Sequence, residues 1–200
     1  MKNKFTVLIL LLVTLSTVLM GCRNDSNIEV DDSAKVEEEV NQEYNKFESL
    51  TLPKFETQTI SGEKITSDIF KNHDITMINV FATWCSPCVA EMPALGELYK
   101  ELPENVNLVG ICIDTRDDKN EVKLARKIMR NSRAEFDVII PNEELEKKFL
   151  SLVDALPTTI FVDSQGNIVG EVIVGAGSDK DKLIKHYKEE IDKRLELLNK

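Results

Sequence analysis

The stretch Phe81-Ala82-Thr83-Trp84-Cys85-Ser86-Pro87-Cys88 places two cysteines three positions apart, directly behind an apolar run. Met77, Ile78, Val80 and Phe81 read as a buried strand. Cys85-Ser86-Pro87 then turns the chain into a helix, with Pro87 in the first turn, where its missing N–H leaves no bond unmade. Cys85 therefore stands at a helix N-terminus. Unpaired backbone N–H groups and the positive end of the helix dipole favour a thiolate there, so Cys85 is the expected nucleophile. Cys88, one turn deeper, is the expected resolving thiol, and the spacing lets the two sulfurs open and close a disulfide.

A Cys-x-x-Cys pair is also half of many zinc sites, but such a site needs two further ligands. No second pair exists in the sequence: Cys22 and Cys112 are isolated, and His73 and His186 each stand alone in charged surroundings. The expectation is a redox-active disulfide Cys85–Cys88 with no metal and no other cofactor. Cys112, within the apolar Val109-Gly110-Ile111-Cys112-Ile113, reads as a small buried hydrophobe. The acidic residues that follow, Asp114, Asp117 and Asp118, read as a solvated loop.

At the N-terminus Lys2 and Lys4 precede an uncharged run from Phe5 to Met20, then Gly21-Cys22 and a polar stretch. That is the layout of a secretory signal, shorter than the roughly 20 apolar residues of a membrane-spanning helix. Leu19-Met20-Gly21-Cys22 resembles a bacterial lipobox, which implies signal residues 1–21, lipidation of Cys22 and a mature chain anchored outside the cytoplasm, on the outer face of the cell membrane. Residues 22–45 are polar and mostly acidic, too poor in apolar side chains to fold alone, and read as an extended tether. The formal charge of −10 argues against nucleic acid as a partner.

The remainder, 46–200, reads as one α/β domain. An N-terminal hairpin around Phe55–Ile60 and Ile65 precedes the strand ending at Phe81. A helix follows over 87–102, a strand over 106–113, a helix over 120–131, a short strand at 138–140 and a helix over 143–150. Strands at 158–162 and 168–174, joined by Asp163-Ser164-Gln165-Gly166, lead to a final helix from Asp179. On that helix Leu183, Ile184, Tyr187, Ile191, Leu195 and Leu198 form an apolar face. The order predicts a central mixed sheet flanked by helices.

Asn79 to Cys88, with Leu156-Pro157-Thr158-Thr159 about seventy positions on, resembles the thioredoxin fold and, within it, the membrane-tethered TlpA/ResA-like thiol-disulfide oxidoreductases. The N-terminal hairpin and a helical insertion around 120–131 fit that group. The resemblance implies a cis peptide bond at Pro157 beside the disulfide, and a peptide-docking rim formed by Trp84, Leu156, Pro157 and Thr158. Glu91 shares a helix face with Cys88. The resemblance implies that it is a buried carboxylate tuning the pair and moving protons, a role that thioredoxin gives to an aspartate at the position of Asn79. Pro93 should kink the helix.

The activity so implied is reduction of disulfides in partner proteins of the apocytochrome c or methionine sulfoxide reductase type, with re-reduction by a membrane donor of CcdA or DsbD type. A disulfide-donating oxidase would use the same residues and differ only in potential. A peroxidase is disfavoured because Pro-x-x-x-Thr-x-x-Cys does not precede Cys85. A copper carrier is disfavoured because the cysteine spacing and the histidine positions do not fit one.

Overall fold

The computed structural model describes residues 46–177 and 179–199. The expected signal segment 1–21, tether 22–45 and lipidated Cys22 lie outside the described residues. The hairpin falls where the alternation places it, as β1 (Glu56–Gln58) and β2 (Lys64–Thr66), paired antiparallel with Thr57 opposite Ile65. Gly62, at φ 95°, makes its turn in a backbone region that a side chain would resist.

A five-stranded mixed sheet follows, built from β3 (Ile75–Phe81), β4 (Val106–Cys112), β5 (Val138–Ile139), β6 (Thr158–Asp163) and β7 (Ile173–Val174). Its order is β5-β4-β3-β6-β7, with β3, β4 and β5 parallel to one another and β6 and β7 antiparallel to their neighbours. The central strand β3 is buried at every residue, which is why Ile-Thr-Met-Ile-Asn-Val-Phe is apolar almost throughout instead of alternating. The short edge strand β5 is covered by the N-terminal segment: Ile60 N–H donates to the Val138 carbonyl at 2.8 Å and Ile140 N–H to the Gln58 carbonyl at 2.9 Å. The hairpin thus closes an edge that would otherwise be open to pairing with another chain.

The helices are α1 (Ser86–Glu101), α2 (Lys119–Ser132), α3 (Glu143–Lys148) and α4 (Lys180–Leu198). Alternate β3 residues face two separate cores. Ile75, Met77 and Phe81 pack with Leu95 and Leu98 of α1, Ile128 and Met129 of α2, and Tyr187 and Ile191 of α4. Ile78 and Val80 pack on the other side with Phe47, Phe55, Phe70, Leu145 and Phe149. Helix α2, expected as an insertion, is the crossover between the parallel strands β4 and β5.

Two expectations change. The strand read over 168–174 survives only as a bridge at Ile168 and as β7, because Gly170 turns the backbone through φ 72°. Arg194 fills the space beside it, its guanidinium donating to the Glu171 carbonyl and stacking 4.1 Å from the Phe161 ring centroid. Leu198, read as part of the apolar face of α4, is 42% exposed, while Arg194 takes a buried position on that helix at 3%. The ion pair of Arg194 with Glu190 makes that burial tolerable.

Gly96 marks the closest approach in the helical layer. A Cβ there would lie 2.8 Å from Ala134 Cα and 3.0 Å from the Arg133 carbonyl, both backbone. Gly96→Ala should therefore force α1 away from the end of α2. Despite the better helix propensity of alanine, it should lower stability by about 1–3 kcal/mol, read as a fall in urea midpoint at unchanged slope.

Candidate active site

Helix α1 begins at Ser86, with Cys85 as its N-cap and Pro87 in its first turn. The Cys85 sulfur accepts a hydrogen bond from the Cys88 amide at 3.3 Å. The two cysteines form a disulfide, with Cα atoms 5.3 Å apart. A sulfur that already receives a helix N-terminal amide is one whose thiolate, once formed by reduction, is favoured. Both cysteines are buried, Cys85 at 4% exposure and Cys88 at 0%. Attack from outside therefore falls on Cys85.

Beside the disulfide lies a cavity of about 610 Å³, lined by Trp84, Pro87, Ile113, Leu150 and Leu156, with Glu146 and Asp154 also on its wall. Trp84 is 70% exposed, a large apolar ring left in solvent next to the reactive sulfur. The Leu156–Pro157 peptide bond is cis. Pro157 and Thr158 are buried, and the Thr158 hydroxyl donates to the Ala155 carbonyl at 2.7 Å. Of the four residues expected at the docking rim, Trp84 and Leu156 line the cavity directly. Pro157 and Thr158 are placed to hold the turn.

Glu91 is 1% exposed, one helical turn beyond Cys88. Burial pushes its carboxyl up to about 7, against the opposing hydrogen bonds of Asn79 and Tyr187. Asn79 Nδ2 donates to Glu91 Oε1 at 2.8 Å and to Thr159 Oγ1 at 3.1 Å. Tyr187 brings its hydroxyl 3.5 Å from Glu91 Oε2 and 3.3 Å from Thr159 Oγ1. Burial and the neighbouring Glu91 push the Tyr187 phenol up, so it stays protonated. Asn79 Oδ1 has no partner among the described residues. The same amide turned over would accept from a protonated Glu91, so Asn79 can serve the carboxyl in either state without competing for its proton.

Thr159 and Tyr187 were not singled out as site residues by sequence. The available signal was one hydroxyl-tipped ring on the apolar face of α4. Asp114 corrects a second reading. It is not part of a solvated loop: its carboxylate accepts from the Thr83 amide at 3.0 Å and the Thr83 hydroxyl at 2.6 Å, and it lies 3.1 Å from Cys112 Sγ. Thr83 also contacts Glu121 of α2. This cluster pins the loop between β3 and Cys85. Cys112 is fully buried, as expected, and burial with the adjacent Asp114 pushes its thiol far up, which leaves it inert.

The AhpC/TSA family profile matches residues 49–170, which span the hairpin, both halves of the site and most of the sheet. The chain belongs to the AhpC/TSA family. It is 30% identical over 134 residues to the thioredoxin-like protein YneN of Bacillus subtilis, covering 67% of this chain and 75% of that one. It is likewise 30% identical over 132 residues to the thiol-disulfide oxidoreductase ResA of Oceanobacillus iheyensis, covering 62% and 63%. The latter match spans a little under two thirds of that relative's length. Among solved structures, a thiol:disulfide interchange protein of Chlorobium tepidum superposes with a TM-score of 0.54 at 27% identity, over 69% of this chain and 95% of that one. Within the AhpC/TSA family the chain is a TlpA/ResA-like thioredoxin-fold protein and a thiol-disulfide oxidoreductase.

Proposed function

We propose that this AhpC/TSA-family protein is an extracytoplasmic reductant of partner-protein disulfides. The observation that carries the reading is one constellation: a Cys85–Cys88 disulfide on a helix N-terminus, a buried Glu91 behind it and an exposed Trp84 beside it. In the reduced protein the Cys85 thiolate attacks one sulfur of the partner disulfide, forming a mixed disulfide as the other partner sulfur leaves and takes up a proton. Cys88 then yields its proton to Glu91, and its thiolate attacks Cys85 Sγ. The second partner sulfur leaves as a thiol after protonation, and Cys85–Cys88 is left oxidised. Two electrons have passed to the partner, with one proton from Cys88 by way of Glu91 and one from solvent.

The burial of Cys88 and Glu91 keeps bulk water from this proton transfer. Trp84 and Leu156 supply apolar contact area for the partner segment. The signal-like residues 1–21 and the Gly21-Cys22 end support a location outside the cytoplasm, with Cys22 as a lipid anchor to the membrane. Beyond the reach of cytosolic thiol pools the pair needs electrons passed across the membrane, which suits a donor of CcdA or DsbD type. Apocytochrome c haem-binding cysteines, or an extracytoplasmic methionine sulfoxide reductase, are the substrates proposed.

The test is capture. Full-length Cys88→Ala protein cannot resolve its mixed disulfide, so partners accumulate on Cys85 in the producing cell. Recovery of apocytochromes or sulfoxide reductases is the expected result. Recovery solely of newly secreted proteins on their way to structural disulfides would make the chain a disulfide donor instead.

A further inference from the structure

The formal charge of −10 hides a local reversal. The fifteen residues 119–133 carry six cations, Lys119, Lys123, Arg126, Lys127, Arg130 and Arg133, and a single carboxylate, Glu121. That carboxylate faces Thr83. All six cations are exposed. Lys119, Lys123, Lys127 and Arg130 fall at helical steps of four, four and three, so they form one stripe roughly 16 Å long on the side of α2 opposite its buried Ala125 and Ile128.

No carboxylate among the described residues neutralises the stripe. Among the described residues, every lysine and arginine outside this segment except Lys54 and Lys182 is ion-paired with a carboxylate, as with Lys100 and Glu135 at 3.4 Å or Lys180 and Glu97 at 2.5 Å. None of the six cations of 119–133 makes such a pair; Arg126 donates only to the Ile60 carbonyl. Like charges at i and i+4 repel, and Lys119 sits in the first turn, where the helix dipole disfavours a cation. The arrangement works against the helix's own stability, so its use lies outside the folded chain.

Position indicates what that use is. Glu121, on the inner face of α2 with Ala125 and Ile128, touches Thr83, two residues before Cys85, so the first turn of the helix, where Lys119 opens the stripe on the outer face, stands at the redox end of the molecule. At its far end Arg130, with Arg126 and Arg133, borders a cavity of about 750 Å³ whose wall also holds Lys100, Glu135 and Asp137. The cationic stripe thus runs from the redox end of α2 along its outer face, on a chain that is otherwise acidic overall. We infer that the exposed face of α2 docks an acidic face of the partner protein, one rich in Asp and Glu within about 20 Å of the disulfide that Cys85 attacks. This rests on the proposed reductant function and adds the charge character of the partner. Steering of this kind raises the encounter rate and orients the partner so that its disulfide arrives at Trp84 and Cys85.

The experiment uses the full chain, reduced and held in nonionic detergent, with three synthetic probes. Each is a peptide closed by one disulfide and extended through a Ser-Gly spacer into six Glu, six Ser or six Lys. At 20 mM ionic strength the Glu probe should be reduced about tenfold faster than the Ser probe, and the gap should close at 300 mM. In K119Q/K123Q/K127Q/R130Q the preference should vanish while the Ser-probe rate holds; the milder K123Q/K127Q should retain part of it.

Equal rates for the Glu and Ser probes, or a preference that survives the quadruple change, would overturn the inference. So would a preference that emerges only after the carboxylates of 25–43 are neutralised, since the chain's own acidic segment would then be the occupant. Binding of α2 to phosphatidylglycerol-doped micelles without any Glu-probe preference would overturn it in favour of a lipid surface. Failure to reduce even the Ser probe would count against the reductant function itself, a different outcome from loss of the charge preference.

Discussion

Cys85→Ser should abolish disulfide exchange altogether, while Cys88→Ser should perform one half-reaction and stop with the partner covalently attached. The asymmetry follows from the structure. Cys85 caps α1 and receives the Cys88 amide, whereas Cys88 is wholly buried a turn deeper and can reach only Cys85. The thiolate is the reactive species, so a hydroxyl at 85 has neither the acidity nor the nucleophilicity to substitute. With a small disulfide peptide, reduced Cys88→Ser should give one equivalent of mixed disulfide, visible as a mass shift, and release nothing further. Reversed behaviour of the two variants would exchange their roles.

Glu91→Gln should slow resolution of the mixed disulfide by about 10²-fold, the usual scale of a positioned general base. The rate of that step in the native protein should rise with pH through about 7, because Glu91 accepts the Cys88 proton only when ionised. In the glutamine variant that inflection should disappear. A second readout separates this from structural damage. The folded carboxyl titrates near 7 against an ordinary value of 4.5, so the folded state binds more protons in between. Its stabilising contribution is fully present below pH 4.5 and is lost as pH rises through 7, a fall of about 3 kcal/mol. Glu91→Gln should flatten that slope without unfolding the protein, since the amide can still bond Asn79 and Tyr187. An unchanged pH profile in the variant would remove Glu91 from the mechanism.

The fold was legible where the chain carries a clear local pattern. The apolar run into Phe81, the Cys-x-x-Cys turn and the strand–helix order past it follow from periodicity and capping. The last strand was not, because its course depends on Gly170 meeting Arg194, twenty-four positions later and on another element. The same holds at the site. Cys85 and Cys88 are local in sequence and could be read. Glu91 was placed by its turn relation to Cys88 and by resemblance. Tyr187 reaches Glu91 across 96 positions, and Asp114 reaches Thr83 across 31. Helix periodicity marks Tyr187 as core without saying what its hydroxyl meets, and loop composition hides a carboxylate that accepts from the Thr83 amide, the Thr83 hydroxyl and the Cys112 thiol. Net charge concealed α2 in the same way, since a total says nothing of where cations gather.

The central claim is that this pair gives electrons to partner disulfides, and the reduction potential of Cys85–Cys88 tests it most directly. The protein would be equilibrated in thiol buffers of graded potential and its free thiols trapped and counted. A value near or below that of thioredoxin, about −270 mV, is predicted. A value near the strongly oxidising end, about −120 mV, would contradict the account and make the chain a donor of disulfides.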